Sequence, residues 1–130
     1  MSHTGGCLCG AVRYRASADP VSVNHCHCVQ CRKQTGAAVA TWAMFRREDV
    51  TFEGALRFFR SSARAERGFC PTCGSALVWR ATTDARHIDV SVGTLDHPER
   101  TPPTEHLFVR DQLPWLDLRD DLPRHEAMDR

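Results

Sequence analysis

No apolar run in this sequence is long enough to cross a bilayer; the longest, from Gly36 to Phe45, already contains Thr41. An excess of charge of one sign is also missing. The 17 Lys and Arg residues against 16 Asp and Glu leave a net charge of +1. That balance gives no electrostatic reason to expect nucleic acid or a membrane surface as a partner. Met1-Ser2-His3-Thr4 has neither a basic nor an apolar region, so no secretory signal is expected and a cytoplasmic protein is the default. Repeats and low-complexity segments are absent. At 130 residues, with 42% hydrophobic and 25% charged residues, the chain has the composition of one soluble domain with a modest core.

What the sequence does have is cysteine. Seven in 130 residues is many, and an odd number fits a disulfide framework poorly. Their C-x-C and C-x-x-C spacings suit metal chelation better. Cys26, Cys28 and Cys31 fall within His25-Cys26-His27-Cys28-Val29-Gln30-Cys31-Arg32-Lys33. Tetrahedral zinc takes four donors and this stretch supplies three, so the fourth position is open or filled from elsewhere.

Around these motifs the pattern is that of an all-β domain, with many short strands, little helix and turn signals about every eight to twelve residues. Ala11 to Arg15 alternates, with Val12 and Tyr14 on one face. Val21 to Asn24 leads into Cys26, and Arg32 to Gly36 is expected to be a helical turn. Ala38 to Phe45 has the character of a strand buried on both faces. Further strands are expected at Val50 to Phe52, Leu56 to Arg60, Ala76 to Arg80, His87 to Val92 and Glu105 to Arg110. Ser61 to Glu66 is expected to be a polar connection, and Pro114-Trp115 to close the domain. Asp117 to Arg130, charged and poor in aromatics, is expected to be a mobile tail.

Two partitions of the sulfurs compete. A ribbon would join Cys28 and Cys31 with Cys70 and Cys73 and leave Cys7, Cys9 and Cys26 unused. The alternative joins Cys7 and Cys9 with Cys70 and Cys73, leaving Cys26, Cys28 and Cys31 as a three-ligand site. It uses every sulfur, and it pairs the two motifs whose flanking glycines allow the tight turns a closed site needs.

Gly6-Cys7-Leu8-Cys9-Gly10, Cys26-His27-Cys28-Val29-Gln30-Cys31-Arg32-Lys33 with Gly36-Ala37, Phe69-Cys70-Pro71-Thr72-Cys73-Gly74 and Gly93-Thr94-Leu95-Asp96 occur in that order. Together with Pro103 to His106 and Pro114-Trp115 they resemble the family of glutathione-dependent formaldehyde-activating enzymes and centromere protein V-like proteins. The resemblance runs over residues 5–118 as one zinc domain, with 119–130 as a charged C-terminal tail. It implies a β-tent fold of short antiparallel strands held by zinc, similar to the small zinc-binding Rab exchange factors. It implies two zinc ions: a structural one on Cys7, Cys9, Cys70 and Cys73, and an active one on Cys26, Cys28 and Cys31.

The activity implied is a carbon–sulfur lyase-type reaction that adds a thiol, glutathione above all, to formaldehyde or another small aldehyde and gives an S-hydroxymethyl adduct. Arg32 and Lys33 could meet glutathione carboxylates, or be simply solvated. The alternative is a non-catalytic protein-interaction module or a thiol carrier, because related architectures act as binding modules. In that reading a histidine (His25, His27 or His106) fills the fourth position. Trp42, Phe58, Phe69 and Trp79 are expected in the core.

Overall fold

The computed structural model describes residues 1–128 as a mainly β protein with two sheets. The strands are β1 (His3–Gly6), β2 (Arg13–Ala16), β3 (Ser22–Cys26), β4 (Ala40–Arg46), β5 (Val50–Glu53), β6 (Arg57–Arg60), β7 (Ala65–Phe69), β8 (Ala76–Ala81), β9 (His87–Ser91) and β10 (Glu105–Leu107). One α-helix, α1 (Val29–Thr35), follows β3. The small sheet has the order β1-β2-β5 and the large one β10-β3-β4-β9-β8-β7-β6. Every pairing is antiparallel except β10 with β3, which is parallel and departs from the antiparallel expectation. Among the described residues no helix is long and apolar enough to cross a membrane.

β4 explains how one sheet serves two purposes. Successive strand side chains point to opposite faces. Ala43 and Phe45, both 0% exposed, enter the main core with Leu77, Val78, Ile88 and Val90. Ala40 and Trp42 face the other way and pack with Cys26 and Cys31. The expectation of a strand buried on both faces holds, and the second face is a cysteine site. Complete burial of a Phe, Leu or Ile side chain is worth about 1.5–3 kcal/mol, so the first face supplies most of the fold's apolar stabilisation.

The small sheet is fastened across the core by the Gly93–Asp96 stretch. Thr94 Oγ1 lies 2.7 Å from the Tyr14 hydroxyl, Asp96 accepts from Thr4 Oγ1 at 2.7 Å and from Arg13 Nη1 at 3.0 Å, and Leu95 bridges to Gly5. A Cβ on Gly5 would come within 2.4 Å of the Tyr14 hydroxyl oxygen, so this closeness requires glycine.

Several expectations are corrected. The helix begins at Val29, earlier than Arg32, because Cys28 caps it: its Sγ accepts the Cys31 amide at 3.2 Å. Residues 65–69 form a strand that begins inside the expected polar connection Ser61 to Glu66. Strand β10 stops at Leu107 because Phe108 takes a left-handed conformation, φ 57°. Trp115 is exposed.

The tail expectation also changes. The Pro123 carbonyl accepts the His106 amide at 2.8 Å, and the His125 amide and carbonyl bond to His106 and Val109 at 2.9 and 3.0 Å. These bonds hold the segment against β10, because main-chain groups that leave water need partners.

Candidate metal centres and the cavity beside one of them

The structure groups the seven sulfurs four and three. Cys7, Cys9, Cys70 and Cys73 have their sulfurs within 4.8 Å of one another, and so do Cys26, Cys28 and Cys31. Cys28 and Cys31 do not meet Cys70 and Cys73, so the ribbon partition is not the one adopted.

The four-sulfur centre is made by two hairpin loops. Cys7 and Cys9 lie between β1 and β2, and Cys70 and Cys73 between β7 and β8, so the centre joins the small sheet to the large one. Each loop turns through a glycine in the left-handed region, Gly10 at φ 83° and Gly74 at φ 80°. The turns aim amide N–H groups at sulfur: Val12 to Cys7 at 3.2 Å, and Thr72 and Cys73 to Cys70 at 3.4 Å. Hydrogen bonds from Ser75, hydroxyl and amide, pull the Cys73 thiol down to about 5. A tetrahedral zinc with bonds of about 2.3 Å sets its sulfurs about 3.8 Å apart. Cys7 and Cys9 are 3.6 Å apart and Cys9 and Cys70 are 3.8 Å apart. The donor set fits zinc.

The three-sulfur centre sits where β3 runs into α1. Cys26 ends the strand, Cys28 caps the helix, and Cys31 lies one turn along it. Cys26 and Cys31 are buried and Cys28 partly so. Three thiols this close share their protons unevenly. Contacts with Cys26 and Cys31 drive the Cys28 thiol down to about 2, while contacts with Cys28 and Cys31 push Cys26 strongly up. All three become thiolates together only beside a cation, as a metal ligand set requires. The cluster holds no histidine among the described residues. His27 Nε2 instead lies 2.9 Å from His106 Nδ1, and His106 Nε2 lies 3.0 Å from both Asp120 oxygens. His25 Nδ1 lies 2.9 Å from Thr41 Oγ1. Burial first, then the neighbouring His106, lowers His27 to about 4, so it stays neutral at pH 7.

A cavity of about 320 Å³ lies beside this second centre and is lined by all three of its cysteines. Trp42, Trp79, Leu107 and Phe108 contribute apolar walls. Two tryptophans expected in the core therefore face this space, although Trp42 is also packed against the cysteines. Phe108 closes one side in a conformation that costs a bulky side chain about 1–3 kcal/mol, and such strain clusters at functional sites. The cations among the lining residues are Arg64 and Arg67, not Arg32 or Lys33.

Arg67 is the residue that sequence reasoning missed. It is 3% exposed, and both terminal nitrogens donate to Cys31 Sγ at 3.6 Å. The signal is weak in sequence because Ala65-Glu66-Arg67-Gly68 has no apolar alternation. The pairing of Gly68 with Val78 in the core shows which face the arginine must take.

The model of the glutathione-dependent formaldehyde-activating enzyme family matches residues 2–111. The chain belongs to this family. A Halomonas elongata protein named "Putative glutathione-dependent formaldehyde-activating enzyme" is 32% identical over 128 residues, covering 88% of this chain and 79% of that protein. A Schizosaccharomyces pombe protein named as an uncharacterized lyase is 29% identical over 80 residues, 62% of this chain and 58% of its own length. The chain thus spans little more than half of that yeast relative. A crystal structure of a Rhodobacter sphaeroides protein superposes with a TM-score of 0.58 at 23% identity, covering 93% of this chain and 98% of the other. That likeness concerns the fold alone.

Proposed function

We propose that this protein is a zinc-dependent enzyme of the carbon–sulfur lyase type that joins a thiol, glutathione in the first place, to formaldehyde or a related small aldehyde. The observation that carries the reading is the set of three sulfurs, Cys26, Cys28 and Cys31, gathered without a histidine on the wall of a cavity. Three ligands leave a coordination position for a substrate, whereas a closed structural site uses four. Family membership and the names of the two relatives support the same chemistry. The four-sulfur centre is the structural zinc site in this reading, and two sheets clipped by metal suit the tent fold of the family.

Bound at the second centre, zinc supplies the charge that keeps a substrate thiol deprotonated at neutral pH. The chain's own residues do the rest. Cys26, Cys28 and Cys31 hold the ion at the cavity wall. Trp42, Trp79 and Phe108 exclude water and confine the carbonyl beside the sulfur, which converts a bimolecular encounter into a positioned one. The S–C bond forms as the carbonyl π pair moves to oxygen, and that oxygen takes a proton from solvent, which balances the one the thiol released on binding. Exposed Arg64, at the cavity, is placed to meet a glutathione carboxylate.

The test is cobalt-loaded protein titrated with glutathione. Entry of the thiolate is expected to change the visible ligand-field spectrum, and S-hydroxymethylglutathione is expected to form faster than in buffer. A spectrum unmoved at saturating glutathione, with formaldehyde consumed at the buffer rate, would overturn the proposal in favour of a binding module.

A further inference from the structure

We propose that Arg67 is the countercharge of the three-sulfur centre, a positioning residue that sets its guanidinium fork on Cys31 and lets the centre accept a fourth, anionic sulfur. The inference rests on the reading of Cys26, Cys28 and Cys31 as metal ligands. It concerns a residue on a different strand, 36 positions from Cys31.

A guanidinium is always charged and is among the groups least often buried without a partner. Arg67 is nevertheless 3% exposed, in the middle of β7. Period-two alternation puts Ala65 and Arg67 on the cavity face and Gly68 on the core face, where Phe58 and Val78 close over it. The residue across from Arg67 on β8 is Trp79, and Trp79 lies opposite Asp89 on β9, so the guanidinium belongs to a row that lines the cavity. Its two terminal nitrogens straddle a single sulfur at equal distance, 3.6 Å, as a planar fork does on an anion. Its Nε has no hydrogen-bond partner. The fork is therefore spent on the sulfur at the expense of another donor.

Charge explains why that arrangement is useful. Zinc with three thiolates carries a formal charge of −1, and a substrate thiolate would make it −2 in a low-dielectric site. One buried guanidinium offsets the −1 of the three-thiolate unit and half of the −2 of the four-thiolate one; Asp89, a buried acid on the same cavity wall, lies outside this pairwise count. The incoming thiol releases its proton to solvent as it binds. The two N–H donors also draw electron density from Cys31, which leaves the metal a better acceptor. Partners of this kind typically change metal affinity 10–100-fold. The four-sulfur centre has its sulfurs bonded to backbone amides and Ser75, so it provides an internal control in the same molecule.

The experiment compares wild-type protein with Arg67→Met and Arg67→Lys, each loaded with cobalt and titrated with 2-mercaptoethanol and with glutathione. In Arg67→Met the three-sulfur centre is expected to bind cobalt 10–100-fold more weakly. Its sulfur-to-cobalt charge-transfer band should move to lower energy, because the sulfur has lost two donors, and the thiol Kd should rise at least about tenfold. The four-sulfur bands should not move. Arg67→Lys, which keeps the charge and loses the fork, should recover thiol affinity in part but not the band position. Should Arg67→Met fail to fold, Arg67→Lys carries the test alone.

Folded Arg67→Met with wild-type affinity and band position, or Arg67→Lys indistinguishable from wild type in both, overturns the inference and leaves the proposed function standing. Wild-type protein that binds a single cobalt overturns both.

Discussion

The two cysteine clusters use the same side chain for opposite ends, and their surroundings show why. The four-sulfur cluster is built on hairpin loops, holds an exposed cysteine, Cys9, and receives backbone amides on its sulfurs. The three-sulfur cluster is built on a strand end and a helix start, faces a cavity, and receives a buried guanidinium on Cys31 in addition to one backbone amide on Cys28. Amides are fixed dipoles that suit a permanent, closed set of ligands. A full charge on a side chain suits a set whose charge changes when a ligand arrives. The difference lies in the guanidinium that only the three-sulfur cluster receives among the described residues.

The sharpest break in this comparison is Cys73→Ser. The four-sulfur centre joins sheets that otherwise meet through core side chains and the Gly93–Asp96 stretch, so its loss is expected to cost several kcal/mol, the scale on which structural zinc couples to folding. The outcome expected is insoluble protein or a loss of cooperative melting. A Cys73→Ser protein that melts like wild type would remove the clip from this account.

Cys31→Ser is expected to do less. The four-sulfur clip remains, so the fold should persist with a loss of about 1–3 kcal/mol from the unsatisfied Arg67. Elemental analysis should fall from two zinc ions per chain to one. Two ions retained in Cys31→Ser would mean that the clusters are not separate centres.

Phe108 sharpens the comparison from the cavity side. Alanine and glycine both remove its ring, but glycine adopts a left-handed backbone freely and alanine does not. Phe108→Gly should therefore be about 1 kcal/mol more stable than Phe108→Ala, as chemical denaturation would measure. Equal stabilities would mean that the chain relaxes out of the left-handed region once the ring is gone.

The smallest effect is expected at the second tie between the sheets. Arg13 above all, then Thr4, lowers Asp96 from 3.8 to about 2. A carboxylate lowered on folding contributes its stability above the unfolded value, and loses it as pH falls through the folded one. Asp96→Asn should thus lower the melting temperature at pH 7 by the equivalent of less than about 1 kcal/mol, because the pair is partly exposed. The gap from wild type should close between pH 4 and pH 2. A gap independent of pH would assign the effect to Thr4 packing instead.

Much of this was legible in sequence. C-x-C, C-x-x-C and the glycines beside them were enough to make metal the expectation, since a turn that aims two sulfurs at one point is a local matter. Strand periodicity located β4 and its two faces for the same reason. The Gly93–Asp96 motif was visible as part of a family pattern, but its work, holding Tyr14, Thr4 and Arg13, depends on contacts more than 75 positions apart.

What the sequence determined by itself is the ligand chemistry: seven thiols, spaced so that short loops and one helical turn can present them. Tertiary structure alone decided which thiols share a centre, because Cys7 and Cys70 meet only when two sheets pack. It also decided that residues 123–125 lie along β10, through hydrogen bonds that no local pattern announces. Most of all it decided Arg67. A charged residue in a polar stretch reads as solvated, and becomes a buried cation only when β7, separated from β3 by three strands of the same sheet, turns its side chain toward Cys31. Local spacing fixes which atoms can bind a metal, whereas burial fixes the charge around them, and burial is a property of the whole fold.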